Sequence, residues 1–231
     1  NDGFKKLVNK GFNCKNANYN YMPTYTGPGH ASIYTGTTPE NHGIISNSWY
    51  DKTTNNWMYC TSDTSQSTIG TETRSGKMSP KNLVSTTITD ELKLATNNRG
   101  KVIGISIKDR GAILPAGHKA DAAYWYDGGD EGKWISSTFY MEELPKWMRK
   151  VNETHNADKY LNEKWETMLP IKSYVESIAD NNPYEGTFNE EEAPVFPHDL
   201  KALRDSNHNY SLIKATPFGN TILKELALAA I

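Results

Sequence analysis

The hydroxyl of Thr26 stands where a chain entering a helix is forced to turn. Tyr19 to Tyr25 is an aromatic, extended lead-in, and Gly27-Pro28-Gly29 carries the chain into the short apolar run Ala31-Ser32-Ile33-Tyr34. Proline is tolerated in a first helical turn and the free N–H groups there attract anions. Thr26 is therefore expected at the positive end of a helix, where a phosphate or sulfate group would be stabilised. On position alone, a threonine at a helix start is more often a cap than a nucleophile. A hydroxyl that attacks must also lose its proton. No Gly-x-Ser-x-Gly elbow, Walker loop, His-Glu-x-x-His pair or Gly-x-Gly-x-x-Gly turn surrounds it. With no neighbouring base in the sequence, a metal ion is the remaining common way to lower its pKa.

Other polar residues are ambiguous on spacing. Lys108-Asp109-Arg110 follows a β-branched run; charged loops are usually solvated surface, yet α/β folds place ligands beyond the C-terminal ends of their strands. Asn47 reads by default as a turn residue. His30 follows Gly29 and His42 precedes Gly43, so both lie at turns. Cys14 and Cys60 match no metal spacing, and stand either as one disulfide or as two buried thiols.

The composition narrows the classes. A chain of 231 residues can bury a sizeable core. With 23% charged residues and a net charge of -2, nothing marks a nucleic-acid binder or a membrane-surface protein. No apolar run approaches the ~20 residues needed to span a bilayer. The chain opens on Asn1 and closes inside a helix-like pattern, Ile222 to Ile231, so we expect an internal piece of a longer protein.

The positioning elements follow from periodicity and punctuation. Gly3 to Gly11 carries Phe4, Leu7 and Val8 at helical spacing, and Phe12 to Met22 reads as a strand. A hairpin is expected about Asp51 to Asn56, between Trp49-Tyr50 and Trp57-Met58-Tyr59-Cys60; Thr61 to Lys81 reads as surface loop. Residues 82–96 predict a helix capped at Ser85 or Thr86, and Lys101 to Ile107 a strand covered on both faces in a parallel sheet. Lys108 to His118 is then a loop, and Ala122 to Trp125 pairs with Trp134 to Phe139 about Gly128-Gly129-Asp130. Beyond Leu144 the pattern shifts to helices and charged stretches until the amphipathic helix after Thr216-Pro217 returns the chain to the sheet.

Several ordered blocks together carry a resemblance. They are Thr24-Tyr25-Thr26-Gly27-Pro28-Gly29-His30, Thr35 to Ile44, Asn47-Ser48-Trp49-Tyr50, Ser106-Ile107-Lys108-Asp109-Arg110, Leu114-Pro115-Ala116-Gly117-His118, Glu143 to Trp147 and Thr216 to Asn220. The chain resembles, over nearly its whole length, the PafA-type phosphomonoesterases of the alkaline phosphatase superfamily.

That resemblance implies an α/β fold, an alkaline-phosphatase-like core with a central, mostly parallel sheet flanked by helices, plus an inserted cap. It divides the chain into core (1–138), cap (139–211) and a truncated return helix (212–231). It implies that Thr26 is the nucleophile, forming a phosphothreonine and touching the metal pair. Asn47, Lys108 and Arg110 would bind phosphoryl oxygens, and His30 and His42 would belong to the scaffold. The implied cofactor is two zinc ions, whose ligands other than Thr26 fall before Asn1 and after Ile231; the segment alone is expected to be inactive. The implied partners are small-molecule phosphate monoesters, with no nucleic acid and no membrane span, and the protein is a periplasmic or secreted monomer. Two alternatives stand beside this reading: a phosphodiesterase of the same superfamily, which the Lys108/Arg110 pair disfavours, and a non-catalytic binding protein that uses the aromatic insert.

Overall fold

The computed structural model describes residues 2–129 and 131–231. The chain opens with α1 (Asp2–Lys10), α2 (Thr26–Thr35) and α3 (Pro39–His42), the hairpin β1 (Ser48–Asp51) and β2 (Asn56–Tyr59), then β3 (Thr68–Ile69) and α4 (Ile88–Ala95). The central unit is β4 (Ile103–Ser106), α5 (Asp109–Ala116), β5 (Ala122–Asp127) and β6 (Lys133–Ser137). There follow α6 (Lys146–Glu153), α7 (Asn156–Leu161), β7 (Lys164–Trp165), β8 (His198–Asp199), α8 (Leu200–Leu203) and α9 (Pro217–Ala229).

The main sheet has the order β3-β6-β5-β4. β4 and β5 are parallel, joined by α5 as crossover helix, whereas β5–β6 and β3–β6 are antiparallel. The α/β core is therefore as expected, but among the described residues its sheet is mixed. β5 is buried along its whole length, and its side chains alternate between the faces. Ala122, Tyr124 and Tyr126 pack with Leu161, Ile213, Ile222 and Leu226 on one side, while Ala123 and Trp125 pack with Ala112 and Ile113 of α5 on the other. Helices thus cover both faces.

Several sequence expectations are corrected. Phe12 to Met22 is irregular rather than a strand: residues 12–20 are exposed, and their backbone gains no ladder among the described residues. The stretch after β4 is not a loop but α5. Gly111 and Pro115 oppose a helix by about 4 kcal/mol together, yet complete burial of Ile113 and Leu114 contributes about 1.5–3 kcal/mol each and offsets this. α4 is capped at Thr87 instead of Ser85 or Thr86, because Asp90, three residues on, returns a bond to the Thr87 N–H and completes a capping box. β4 is an edge strand of the described sheet with Ile103 39% exposed, not a strand covered on both faces. Within the supposed surface loop, Thr61, Asp63 and Ser79 are buried and Thr68–Ile69 joins the sheet. The β5–β6 turn is as read, save that Asp130 lies outside the described residues.

Candidate active site

α2 begins at Thr26, so the hydroxyl expected at the start of a helix is there, exposed to solvent. The neighbouring N–H, that of Gly27, donates to Oδ1 of Asn47 at 2.7 Å. Gly27 is glycine for a packing reason: a Cβ there would lie 3.1 Å from Asn47 Oδ1, 3.2 Å from the Ser46 carbonyl and 3.4 Å from Cys60 Sγ. With Oδ1 accepting a backbone N–H, the Asn47 carboxamide has a determined orientation and its NH2 keeps two donors for another acceptor. The Asn47 carbonyl accepts from the Cys60 N–H at 3.0 Å, which fastens this loop to the far end of the β1–β2 hairpin.

Lys108 and Arg110 stand at the start of α5, Lys108 as its extended N-cap and Arg110 in its first turn. Gly104 lets this helix lie directly on β4, since a Cβ there would come within 2.3 Å of the Ala112 carbonyl. Lys108 is exposed. Arg110 Nη1 donates to the Tyr59 hydroxyl at 2.8 Å, Tyr59 donates to Asp109 Oδ1 at 3.0 Å, and buried Thr61 donates to Asp109 Oδ2 at 2.5 Å. Arg110 Nε is buried without a partner among the described residues. A buried donor left unpaired calls for an explanation, and a ligand site is a common one.

Electrostatics separate the groups. Burial, and after it Asp109, pushes the Cys60 thiol up to about 12, so this cysteine is a packing residue beneath Gly27 and not a rival nucleophile. Cys14 is exposed and unpaired and Cys60 is buried, so the two form no disulfide and only one is a buried thiol. Burial, and then the Arg110 cation, holds the His30 imidazole below its ordinary 6.5. His42, fully buried, accepts the Ile44 N–H at Nδ1 (3.1 Å) and meets Ser32 Oγ at Nε2 (2.9 Å), a scaffold arrangement.

The structure brings Thr26 and Asn47 together through Gly27, and bonds Arg110 to Tyr59, the residue before the Cys60 that packs against Gly27. It places Lys108 on the same helix start as Arg110, without a direct contact to Thr26. Sequence reading missed Tyr59, Thr61 and Asp109, whose roles arise only when the hairpin meets α5. It also missed Lys214, which packs on Gly128 at the end of β5 and whose amine is 5.7 Å from the Tyr126 ring centroid. Burial, and then the charge of Lys108, lowers its pKa. Among the described residues no group of three His, Cys, Asp or Glu side chains is placed to hold a metal ion. These residues do not make a metal site by themselves; Thr26 could contribute one oxygen to a site completed elsewhere.

The family model described as type I phosphodiesterase / nucleotide pyrophosphatase matches residues 1–203, and the chain belongs to that family. Within it, a protein of Myroides odoratus named calcium-transporting ATPase is 52% identical over all of this chain. The alkaline phosphatase PhoV of Synechococcus elongatus is 49% identical, again over all of it. The crystal structure of wild-type alkaline phosphatase PafA superposes with a TM-score of 0.95 at 44% identity, covering 100% of this chain and 44% of that one. A PafA variant substituted at one threonine, one asparagine, one lysine and one arginine gives 0.93 at 43% identity, with 45% of that chain covered. The chain spans 42% of the length of the Myroides and Synechococcus relatives.

Proposed function

We propose that this chain carries the nucleophile-bearing part of a phosphate monoesterase that works through a phosphothreonine. The observation that carries the reading is the bond from the Gly27 N–H to Asn47 Oδ1, which fastens the Asn47 carboxamide one residue from an exposed threonine at a helix start and leaves its NH2 free to donate. The names of the PhoV and PafA relatives support phosphate ester hydrolysis. So does the PafA variant: its threonine and asparagine, and its lysine and arginine, are separated by the same intervals as Thr26 from Asn47 and Lys108 from Arg110.

In this mechanism the phosphoryl group lies at the start of α2, with Asn47 Nδ2 on one non-bridging oxygen. Lys108 and Arg110 offset the negative charge on the others. The Thr26 hydroxyl gives its proton to solvent and its oxygen bonds to phosphorus as the P–O ester bond breaks; the departing alkoxide takes a proton from water to leave as the alcohol, and a second water then cleaves the phosphothreonine P–O bond to release phosphate and restore the hydroxyl. Two zinc ions would supply the lowered pKa of the Thr26 hydroxyl, with every ligand except Thr26 drawn from outside this chain. The reading includes residues 139–211 as an inserted cap and 212–231 as a return helix, and a monomer acting in the periplasm or outside the cell. Among the described residues, no helix is long and apolar enough to cross a membrane.

The family description favours a second reading, phosphodiester hydrolysis. A monoester dianion presents more charge than a diester, so two cations at the start of α5 favour the monoester. Steady-state kinetics of the full-length protein on a matched pair decide between them. We expect Thr26→Ala to abolish turnover and Lys108→Ala to lower kcat/KM about 10-fold or more for the monoester but little for the diester. Faster turnover of the diester by the parent protein, or undiminished activity in Thr26→Ala, would refute the proposal.

A further inference from the structure

Arg110 is held in an unusual way for a cation that sits beside a carboxylate in sequence. Both oxygens of Asp109 are occupied by hydroxyls, Oδ1 by Tyr59 at 3.0 Å and Oδ2 by Thr61 at 2.5 Å. The guanidinium meets this carboxylate only through the phenol, donating from Nη1 to the Tyr59 oxygen at 2.8 Å. A phenol has one proton to donate. Tyr59 gives it to Asp109, so its lone pair faces Arg110, and the direction of both bonds is determined. Burial, and then the Asp109 charge, raises the Tyr59 pKa far above its ordinary 10.0, which keeps the phenol neutral in this role. Thr61 is fully buried at the end of the hairpin and lends Asp109 a rigid anchor.

A direct Arg110–Asp109 pair would orient the guanidinium but cancel much of its charge toward a third party. A neutral phenol between them fixes one nitrogen and leaves the cation and its other Nη N–H donors uncommitted, while Nε stays buried. Arginine has five N–H donors in a planar fork suited to two oxygens of a phosphate. One is used on Tyr59.

We propose that Tyr59, anchored by Asp109 and Thr61, is a positioning residue for Arg110, and that this relay sets the preference for dianionic phosphate monoesters over monoanionic diesters. The inference rests on the phosphate ester hydrolase reading above. Tyr59 acts through Arg110 and touches no reacting atom.

The test is a double-mutant cycle in the full-length protein, with Tyr59→Phe, Arg110→Ala and the two combined, measured on a matched monoester and diester. Tyr59→Phe is expected to lower monoester kcat/KM about 10-fold and to change diester kcat/KM by no more than about twofold. In the Arg110→Ala background the same change should add less than about twofold, because the group it positions is gone. Thr61→Val, which keeps the shape and loses the donor, should reproduce the loss of discrimination, and Thr61→Ser should restore it; this pair answers the question if Tyr59→Phe folds poorly. Equal losses on both esters, or an undiminished effect of Tyr59→Phe without Arg110, would overturn the relay and leave the hydrolase reading standing. If Arg110→Ala itself leaves monoester turnover unchanged, the assignment of Arg110 to the phosphate fails and the relay fails with it.

Discussion

At the scale of single residues, Asn47 shows how one bond decides the use of another. Its Oδ1 is committed to the Gly27 N–H at 2.7 Å, so replacing it with aspartate and with alanine should have different consequences. Asn47→Asp retains the acceptor for Gly27 and should melt close to the parent, yet it turns a negative charge toward the phosphoryl oxygens. Asn47→Ala loses both functions. We expect both to lower kcat/KM about 100-fold or more, as loss of one donor to a charged oxygen does elsewhere. We further expect only alanine to lower Tm, by the loss of a partly buried bond contributing about 1 kcal/mol. Kinetics alongside thermal melts check this; an aspartate variant with parental activity would show that the Asn47 amide meets no phosphoryl oxygen. The place of Thr26 at a helix start was legible because Gly27-Pro28-Gly29 is punctuation that few conformations satisfy. Asn47 and Arg110 were not legible from spacing, since a turn amide and a charged loop look alike wherever they occur; only the resemblance singled them out. Tyr59 and Asp109 gave no signal because their bond joins residues 50 positions apart.

At the scale of elements, the site depends on how closely α5 approaches β4. Gly104 permits it: an added Cβ would lie 2.3 Å from the Ala112 carbonyl and 2.8 Å from Ala116 Cβ, both fixed by the helix backbone. Gly104→Ala should therefore destabilise the full-length protein by about 1–3 kcal/mol, the usual range for overpacking. It should also weaken Arg110 function by displacing the helix that carries it. Denaturant unfolding with parallel kinetics is the check, and an unchanged midpoint would mean that α5 can slide freely. The hairpin, the presence of β4, β5 and β6 and the closing helix could be read from apolar runs, turn residues and helical spacing, but the exposed edge of β4 could not. α5 could not, because Gly111 and Pro115 are breakers in any local reading, and it takes the tertiary burial of Ile113 and Leu114 to overrule them. Phe12 to Met22 misled in the opposite direction, since alternation without a partner strand makes no ladder.

At the scale of the whole molecule, two histidines, His42 buried and His30 partly so, tie stability to pH. Burial holds His42 below its ordinary 6.5, and His30 is lowered by burial and by Arg110. Both are then neutral in the folded state while the unfolded chain still takes up protons near 6.5, so the unfolded state binds more protons in that range. Stability should be insensitive to these groups above pH 6.5 and should fall as pH drops below it, levelling only beneath the lowered folded values. Thermal melts between pH 5 and 8 should show this slope, and His42→Gln, though less stable at neutral pH, should lack its share of it. An identical slope in the variant would remove His42 from the account. The α/β layering was legible at this scale. The extent of the site came only from the resemblance, which places the metal ligands other than Thr26 outside this chain; the chain spans 42% of its Myroides and Synechococcus relatives.

The β1–β2 hairpin has a bearing on how such a protein changes over time. Asn47 immediately precedes it and Tyr59, Cys60 and Thr61 close it, so the two groups proposed to meet the phosphate oxygens, Asn47 and the Arg110 bonded to Tyr59, are braced from the two ends of one short ribbon. The hydroxyl proposed to attack, that of Thr26, belongs to a different element, α2. On the proposed reading, substitutions in this ribbon should change which esters are accepted while leaving in place the helix start that carries Thr26.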